Sequence, residues 1–297
     1  MFLWGSVFPA IRLAMEAFDP AGMAAARYGT TSVVLALAAL VWRPRLPRRP
    51  ADLLPLGGLG LFGVFGYALA LNVGELTLGA SAASLVYNTT PVFTAPMAFV
   101  FLGERMGRGG WAGTALACVG VTIIATTAAE GVRFTQGAWF VLLATVFQAI
   151  AVVVTKTLLA RRWTPFELTA WSIWLGTAFL LPVGWRGVVD LVDGSVSAAP
   201  TLAILYLAIL PGLVAYVLWS CALTHVPAGR AAGLLSLMPV VATGLEVAWW
   251  GILPTWGIVA RGAVTIAGAA LTNAARFGGS RVKHGVERST VHSLCPK

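Results

Sequence analysis

Long runs of apolar residues, separated by short segments rich in Pro, Gly and Arg, make up most of this 297-residue chain. Charged residues account for only 10% of it, whereas a soluble domain carries roughly 25%. A helix that crosses the hydrocarbon core of a bilayer needs about 20 mainly apolar residues. The pattern therefore predicts an all-α integral membrane protein and excludes a soluble domain.

Ten of these runs are predicted to be membrane-spanning helices, with boundaries good to a few residues. They are residues 2–17, 21–42, 53–74, 79–102, 109–128, 137–159, 164–184, 200–222, 229–252 and 256–275. Segments that break helices separate them, among them "RPRLPRRP" (43–50) and "ARRWTP" (160–165). Short loops leave little room for a further domain.

The basic residues are distributed unevenly over the predicted loops. If the N-terminus is cytoplasmic, 15 of the 20 Lys and Arg residues lie on the cytoplasmic side, as the positive-inside rule requires. The net charge of +9 is then loop charge rather than a nucleic-acid surface. We predict a multi-pass protein of the cell (inner) membrane with both termini cytoplasmic and a basic C-terminal tail, 281–297.

Three anchors indicate an internal duplication. Pro91 aligns with Pro239, Pro20 with Pro165, and Tyr67 with Tyr216, at offsets of 148, 145 and 149 residues. Each copy holds five helices, and because five is odd the second copy must be inverted across the membrane. Inverted repeats are a transporter architecture in which the site lies near the midplane. The predicted units are residues 1–130 (the first half) and 131–280 (the second half).

Several segments resemble the drug/metabolite transporter superfamily of the EamA type. They are "LWGSVFPAIR" (3–12), Arg27 in the second helix, "PVFTAPMAFVFLGER" (91–105) and "MPVVATGLEVAWWGI" (238–252). The last departs from the family pattern, since Ile252 stands where Glu is expected after Gly251. The resemblance implies ten helices in two five-helix repeats. Within the family, the chain looks most like YddG-type exporters of aromatic amino acids and related compounds.

A polar stretch interrupts the fourth predicted helix, where Tyr87 and Asn88 precede Pro91. Polar groups and loosened helices at membrane depth are tolerated where they face protein or a water-filled cavity. One interpretation is that Tyr87 and Asn88 bind substrate, with Ser84 one turn earlier on the same face. The alternative is that Asn88 only stiffens a helix contact. The repeat places Ser236 opposite Asn88.

Further candidates for the cavity lie in other helices: Trp4, Ser6, Tyr67, Gln148, Tyr216 and Trp219. The alternative is interface anchoring for Trp4 and an interhelical hydrogen bond for Gln148. For the other aromatic residues the alternative is core packing. Proline residues near the same positions are candidate hinges, with simple packing kinks as the alternative. These are Pro9, Pro91 and Pro239.

Glu246 and Arg261 are charges inside predicted spans, about seven residues on either side of the last turn. At that spacing they reach the same depth, so we expect a structural ion pair. The alternative is that Glu246 carries a coupling proton. Intramembrane charges of either kind are costly when left alone.

These features together favour a secondary transporter that exports small amphipathic metabolites, such as aromatic amino acids, by alternating access. No Walker A motif is present, so ATP drive by this chain is not expected. An intramembrane enzyme and a non-transporting membrane interaction protein are the alternatives. The three isolated cysteines lack CxxC spacing, which suggests neither disulfide framework nor metal site. The predicted partners are a small-molecule substrate and lipid, with no cofactor; coupling ion, net direction and oligomeric state are open.

Overall fold

The structure is a computed structural model. It describes residues 2–47, 49–78, 80–104, 136–161, 163–226 and 238–251, together with the isolated positions 107, 109–113, 115, 253, 263 and 267. Within these ranges the regular secondary structure is entirely helical.

Twelve α-helical segments and two π-helical segments are described. They are α1 Phe2–Gly5, α2 Val7–Ala14, α3 Pro20–Trp42, α4 Pro50–Gly58, the first π segment Leu59–Gly66, α5 Tyr67–Glu75, α6 Ala80–Tyr87, α7 Thr90–Leu102, α8 Gln136–Ala160, α9 Pro165–Val192, α10 Ala198–Ile209, the second π segment Leu210–Val214, α11 Ala215–His225 and α12 Met238–Trp250.

Six helices of the described part are long and apolar enough to cross a membrane. They are Pro20–Trp42, Pro50–Glu75, Ala82–Leu102, Gln136–Ala160, Pro165–Val192 and Ala198–His225. Each coincides with a predicted span, although Pro165–Val192 runs eight residues beyond the predicted end at 184. The predicted spans 109–128 and 256–275 fall almost entirely outside the described residues, as does the start of 229–252, so the count of ten stays a prediction.

The outer surface of the bundle is apolar, as a lipid-facing surface must be. Large side chains such as Leu54, Val192 and Val41 are exposed by 85%, 77% and 75%. Soluble monomers rarely expose contiguous apolar surface on this scale. The fold is therefore that of a multi-pass membrane protein.

Two of the long helices begin at equivalent signals in the two halves. Asp19 caps α3, accepting hydrogen bonds from the backbone N–H of Ala21 and Gly22, and Pro20 follows at the first helical position. Thr164 caps α9 in the same way through the N–H of Glu167. Proline is preorganised for a first turn, where its missing N–H costs nothing.

The fourth predicted helix is interrupted at its polar stretch. α6 ends at Tyr87, Asn88 and Thr89 form a turn, and α7 starts at Thr90, with Pro91 in its first turn. Pro91 has no N–H to offer the carbonyl of Tyr87, four residues earlier. The hydroxyl of Thr90 donates to that carbonyl at 2.6 Å instead, so the break leaves it satisfied.

The third and eighth predicted helices each contain a π-helical segment. One ends just before Tyr67 and the other just before Tyr216, which are the aligned tyrosines of the two halves. π-helical turns are rare and occur frequently at functional sites. Both tyrosines line the cavity described below, so the irregular backbone lies where the two halves face each other.

Helices α3 and α9 form a very close contact between the two halves. A Cβ atom added at Gly187 would lie 2.3 Å from the carbonyl oxygen of Gly22, and one at Gly184 would lie 2.2 Å from that of Ala21. Small residues let helix backbones approach in a membrane. Across the same contact Thr177 donates to the carbonyl of Tyr28 at 3.2 Å.

Cys221 in α11 is disulfide-bonded. The spacing of the cysteines in the sequence did not predict this bond.

Candidate functional site

A narrow cavity lies between the two halves. The first half contributes Trp4, Val7, Phe8, Arg27, Tyr67 and Tyr87 to its wall, and the second half contributes Gln148, Tyr216 and Met238. Mainly apolar walls with a few polar groups are typical of small-molecule sites.

Aromatic rings from five helical segments contact one another around this cavity. Tyr87 packs against Phe8 and Tyr67, with both pairs of ring centroids 5.8 Å apart. Trp4 packs against Tyr216 at 5.8 Å and Trp219 at 5.0 Å. Edge-on and tilted contacts at such distances stabilise aromatic clusters beyond their buried area. The rings thus form two aromatic clusters, and the cluster around Trp4 joins residues of both halves.

The break in the first predicted helix positions Trp4. α1 ends at Gly5, and α2 starts at Val7, with Pro9 in its first turn. A Cβ atom at Gly5 would lie 2.5 Å from Cβ of Val241, so glycine is required for α1 to approach α12. The indole N–H of Trp4 donates to the carbonyl of Pro211, in the second π segment, at 3.3 Å.

A second narrow cavity adjoins the first and shares Gln148 and Tyr216 with it. It extends along α8 and α9, where Thr155, Thr169 and Ser172 add hydroxyl groups to its wall. Both cavities are narrow, with room for little more than single water molecules. A ligand the size of an amino acid therefore requires the walls to part.

Three ion pairs join the halves at the end of the bundle that carries Arg45, which we call the basic end. Arg45 Nε bonds to Glu167 Oε1 at 2.7 Å, Arg161 reaches Asp52 at 3.4 Å, and Lys156 reaches Glu104 at 3.4 Å. Hydrogen bonding to Glu167 raises the pKa of Arg45 above its ordinary value. Each pair links a residue of the first half to one of the second.

A further ion pair joins the halves at the opposite end. Arg12 Nη1 bonds to Glu246 Oε1 at 2.9 Å, and its guanidinium carbon lies 5.0 Å from the centre of the Trp250 ring. The sequence predicted that Glu246 pairs with Arg261, which lies outside the described residues. That pairing stays a prediction, and the described partner of Glu246 is Arg12.

The other predicted site residues occupy different environments. Trp219 lines the second cavity. The hydroxyl of Ser6 bonds to the hydroxyl of Tyr206 and to the carbonyl of Leu3. Ser84 and Asn88 are 0% and 1% exposed and are not among the described lining residues of either cavity.

Ser236 lies outside the described residues, so its predicted position opposite Asn88 stays a prediction. Pro239 is the second residue of α12 and is buried. Pro9 and Pro91 likewise stand in the first turns of their helices. No observation on the described residues tests whether these prolines act as hinges.

The sequence of the chain matches the model of the EamA-like transporter family over residues 1–126 and 135–274. The chain belongs to the EamA-like transporter family. A solved crystal structure superposes with a TM-score of 0.66 at 20% identity, covering 91% of this chain and 93% of that one, which shows that the fold is shared.

Relatives of this EamA-like chain are named as transporters. A probable terminal-alkyne amino-acid exporter of Streptantibioticus cattleyicolor is 37% identical over 280 residues, covering 94% of this chain and 92% of the relative. An uncharacterized transporter, YdfC, of Bacillus subtilis is 32% identical, covering 91% and 87%. A probable amino-acid metabolite efflux pump of Escherichia coli is 28% identical, covering 80% of each.

Two charged residues of this EamA-like chain stand out in the structure but not in the sequence prediction of the site. Arg27, which the sequence marked only as a family feature, lines the cavity. Glu75, at the end of α5, is 8% exposed, and neither of its carboxylate oxygens has a hydrogen-bond partner among the described residues. Arg27 lies inside a predicted span and Glu75 directly follows one, and this position was the available signal, because buried charges in a membrane are functional candidates.

Proposed function

We propose that this chain is a secondary transporter that exports amino acids or closely related amphipathic metabolites from the cell, with aromatic side chains preferred. The observation that carries the proposal is the aromatic cavity whose wall both halves supply. The names of the relatives from Streptantibioticus cattleyicolor and Escherichia coli support amino acids as the class of substrate. The basic end then faces the cytoplasm, as the distribution of Lys and Arg favours.

Alternating access is the proposed mechanism. The cavity is narrow, and ion pairs between the halves lie at both ends of the bundle. Opening the basic end requires separation of pairs such as Arg45–Glu167, while opening the opposite end requires separation of Arg12–Glu246. The close contact of α3 with α9 at Gly22 and Gly187 supplies a fulcrum about which the halves rock.

The polar break at Asn88 belongs to the proposed path. Both polar atoms of its side chain lack a hydrogen-bond partner among the described residues, although a buried unpaired amide is costly. We propose that this amide contacts substrate in an open state. Asn88→Ala then lowers transport of polar-headed substrates without lowering the amount of folded protein, and a cysteine at position 88 reacts with small thiol reagents in transport-competent vesicles.

Counterflow in proteoliposomes tests the function. Purified protein is reconstituted, and uptake of radiolabelled phenylalanine, tyrosine, tryptophan, leucine and aspartate is measured against an excess of the same unlabelled compound. We expect exchange of the aromatic amino acids and little exchange of aspartate. Exchange of none of the panel contradicts the proposal.

A matched pair of variants connects that transport to the cavity. Tyr87 lines the cavity, whereas Phe101, in the same interrupted span, is 70% exposed on the outside of the bundle. Tyr87→Ala is expected to reduce exchange of aromatic amino acids at least about tenfold, since it removes an aromatic contact and buried area. Phe101→Ala is expected to leave it unchanged.

A further inference from the structure

Arg27 is a buried cation on the wall of the cavity. It lies in the second turn of α3, is 3% exposed and contributes to the lining of the cavity. Its Nε–H has no hydrogen-bond partner among the described residues. A guanidinium carries five N–H donors and stays charged, so this one has donors to offer.

The described residues do not neutralise this cation by direct contact. Arg27 and Glu75 do not form an ion pair within the described part of the chain, and both oxygens of Glu75 are also unpartnered there. A charge inside a membrane protein is costly unless it is paired. Arg27 therefore has free donors that an incoming anion could occupy.

The surroundings of Arg27 hold its guanidinium in place beside aromatic surface. Its central carbon lies 4.9 Å from the centre of the Tyr28 ring, within range of a cation–π contact. Tyr67 and Tyr216 line the same cavity as Arg27. A ligand that places an anionic group on Arg27 thus has its body against these rings.

We infer that Arg27 is the receptor for the carboxylate of the transported molecule. The inference rests on the proposed transport function and names the chemical group that the cavity selects. A planar guanidinium matches a carboxylate through two parallel hydrogen bonds. The ligand class is therefore a carboxylate with an aromatic or bulky apolar body, and its ammonium group contributes less to binding.

Direct binding measurements on the wild-type protein in lipid nanodiscs test this assignment. The probes are L-phenylalanine, 3-phenylpropionate, which lacks the ammonium group, and 2-phenylethylamine, which lacks the carboxylate. Isothermal titration calorimetry is expected to show binding of the first two and at least about tenfold weaker binding of the amine, the minimum loss for a hydrogen bond to a charged group. Equal or tighter binding of the amine overturns the assignment, as does failure of both carboxylates to bind.

Two variants and a control test the residue itself. Arg27→Lys keeps the charge but loses the paired geometry, and Arg27→Gln loses both. We expect affinity for 3-phenylpropionate to fall at least about tenfold in the first and further in the second, with affinity for the amine unchanged. Arg186 lies over the Trp185 ring at 5.8 Å on the exposed surface, and Arg186→Gln is expected to alter neither.

The experiments can contradict the carboxylate site and the transport function independently of each other. If carboxylates bind through Arg27 and counterflow is absent, the proposed function is wrong and the carboxylate site stands. If aromatic amino acids are exchanged and Arg27→Lys, with an unchanged unfolding temperature, binds 3-phenylpropionate as the wild type does, the carboxylate site is wrong and the transport function stands.

Discussion

Arg12 and Glu246 form an ion pair at 2.9 Å that connects the first predicted helix of one half to α12 of the other. The two partners are unequal, since the Arg12 side chain is 40% exposed whereas that of Glu246 is 6% exposed. The pair lies at the end of the bundle opposite the three ion pairs of the basic end. Under the alternating access that we propose, this contact has to break.

A double-mutant cycle measures how strongly Arg12 and Glu246 stabilise each other. We expect Arg12→Gln and Glu246→Gln each to lower the unfolding temperature in detergent, and the charge swap Arg12→Glu with Glu246→Arg to restore most of it. The coupling energy is expected at about 1–3 kcal/mol, the range for residues in direct contact.

The same cycle run on Glu246 and Arg261 tests the pairing that the sequence predicted. A coupling with Arg261 larger than that with Arg12 would make Arg261 the main partner. No coupling with Arg12 would contradict the described ion pair.

Gly187→Ala is expected to destabilise the protein by about 2 kcal/mol or more, because its new Cβ would lie 2.3 Å from the Gly22 carbonyl oxygen and overpacking carries such a cost. Gly57 in α4 is the matched control, since a Cβ there meets nothing within 4 Å. Gly57→Ala is expected to be neutral or slightly stabilising, by up to about 1 kcal/mol. Thermal unfolding of both variants in detergent measures the difference. Equal stability of the two would show that α3 and α9 are not in close contact.

Thr90→Val is expected to cost about 1–2 kcal/mol, since it removes the hydroxyl that donates to the Tyr87 carbonyl at 2.6 Å. In a Pro91→Ala background the new backbone N–H at position 91 can donate to the Tyr87 carbonyl in place of the Thr90 hydroxyl. Thr90→Val should then cost much less. Thermal unfolding of the four proteins gives the coupling, and additive losses would show that Thr90 does not compensate for the proline.

Pro91→Ala also tests the hinge that the sequence predicted. A straighter span is expected to slow counterflow while the unfolding temperature holds or rises. Unchanged counterflow in this variant would reduce Pro91 to a packing role.

The topology is tested by labelling single cysteines from outside intact cells. Cysteines placed next to Asp193 and Glu130 are expected to react with a membrane-impermeant reagent, and those next to Arg48 and Lys283 to react only after permeabilisation. Labelling next to Arg48 in intact cells would show that the predicted orientation is wrong, because the basic loop 43–50 would then face outward.

The sequence by itself determined that the protein lies in a membrane, that it is helical, and where several of its long helices start. Low charge and long apolar runs permit only membrane helices, since a backbone in hydrocarbon must satisfy its own hydrogen bonds. The helix starts at Pro20 and Pro165 were predictable because capping is local, and it depends on residues within one turn of the boundary. Six of the predicted spans agree with described helices, because their length and apolar composition are visible in the sequence.

Only the tertiary structure decided which side chains meet. The sequence listed Trp4, Tyr67, Tyr87 and Tyr216 as candidates beside structural alternatives, and their position around one cavity depends on helix rotation. Rotation in turn follows from local irregularities, such as the π segments and the break at Asn88, which shift the direction of every later side chain. Helical periodicity cannot reveal such shifts, because the π segment Leu59–Gly66 consists only of Gly and apolar residues and has no polar position that would mark the change of period.

The contact of Arg12 with Glu246 shows the same limit for charged residues. Residue spacing around the last turn predicts a pairing of Glu246 with Arg261, which stays a prediction. The contact with Arg12, 234 residues away in sequence, arises through the packing of α2 on α12. Arg27 was visible in the sequence as a charge inside a span, yet only the fold placed it on the cavity wall. Local hydrogen bonds and apolar runs depend on consecutive residues and can be predicted from the sequence. Contacts between helices distant in sequence form only when the chain has packed.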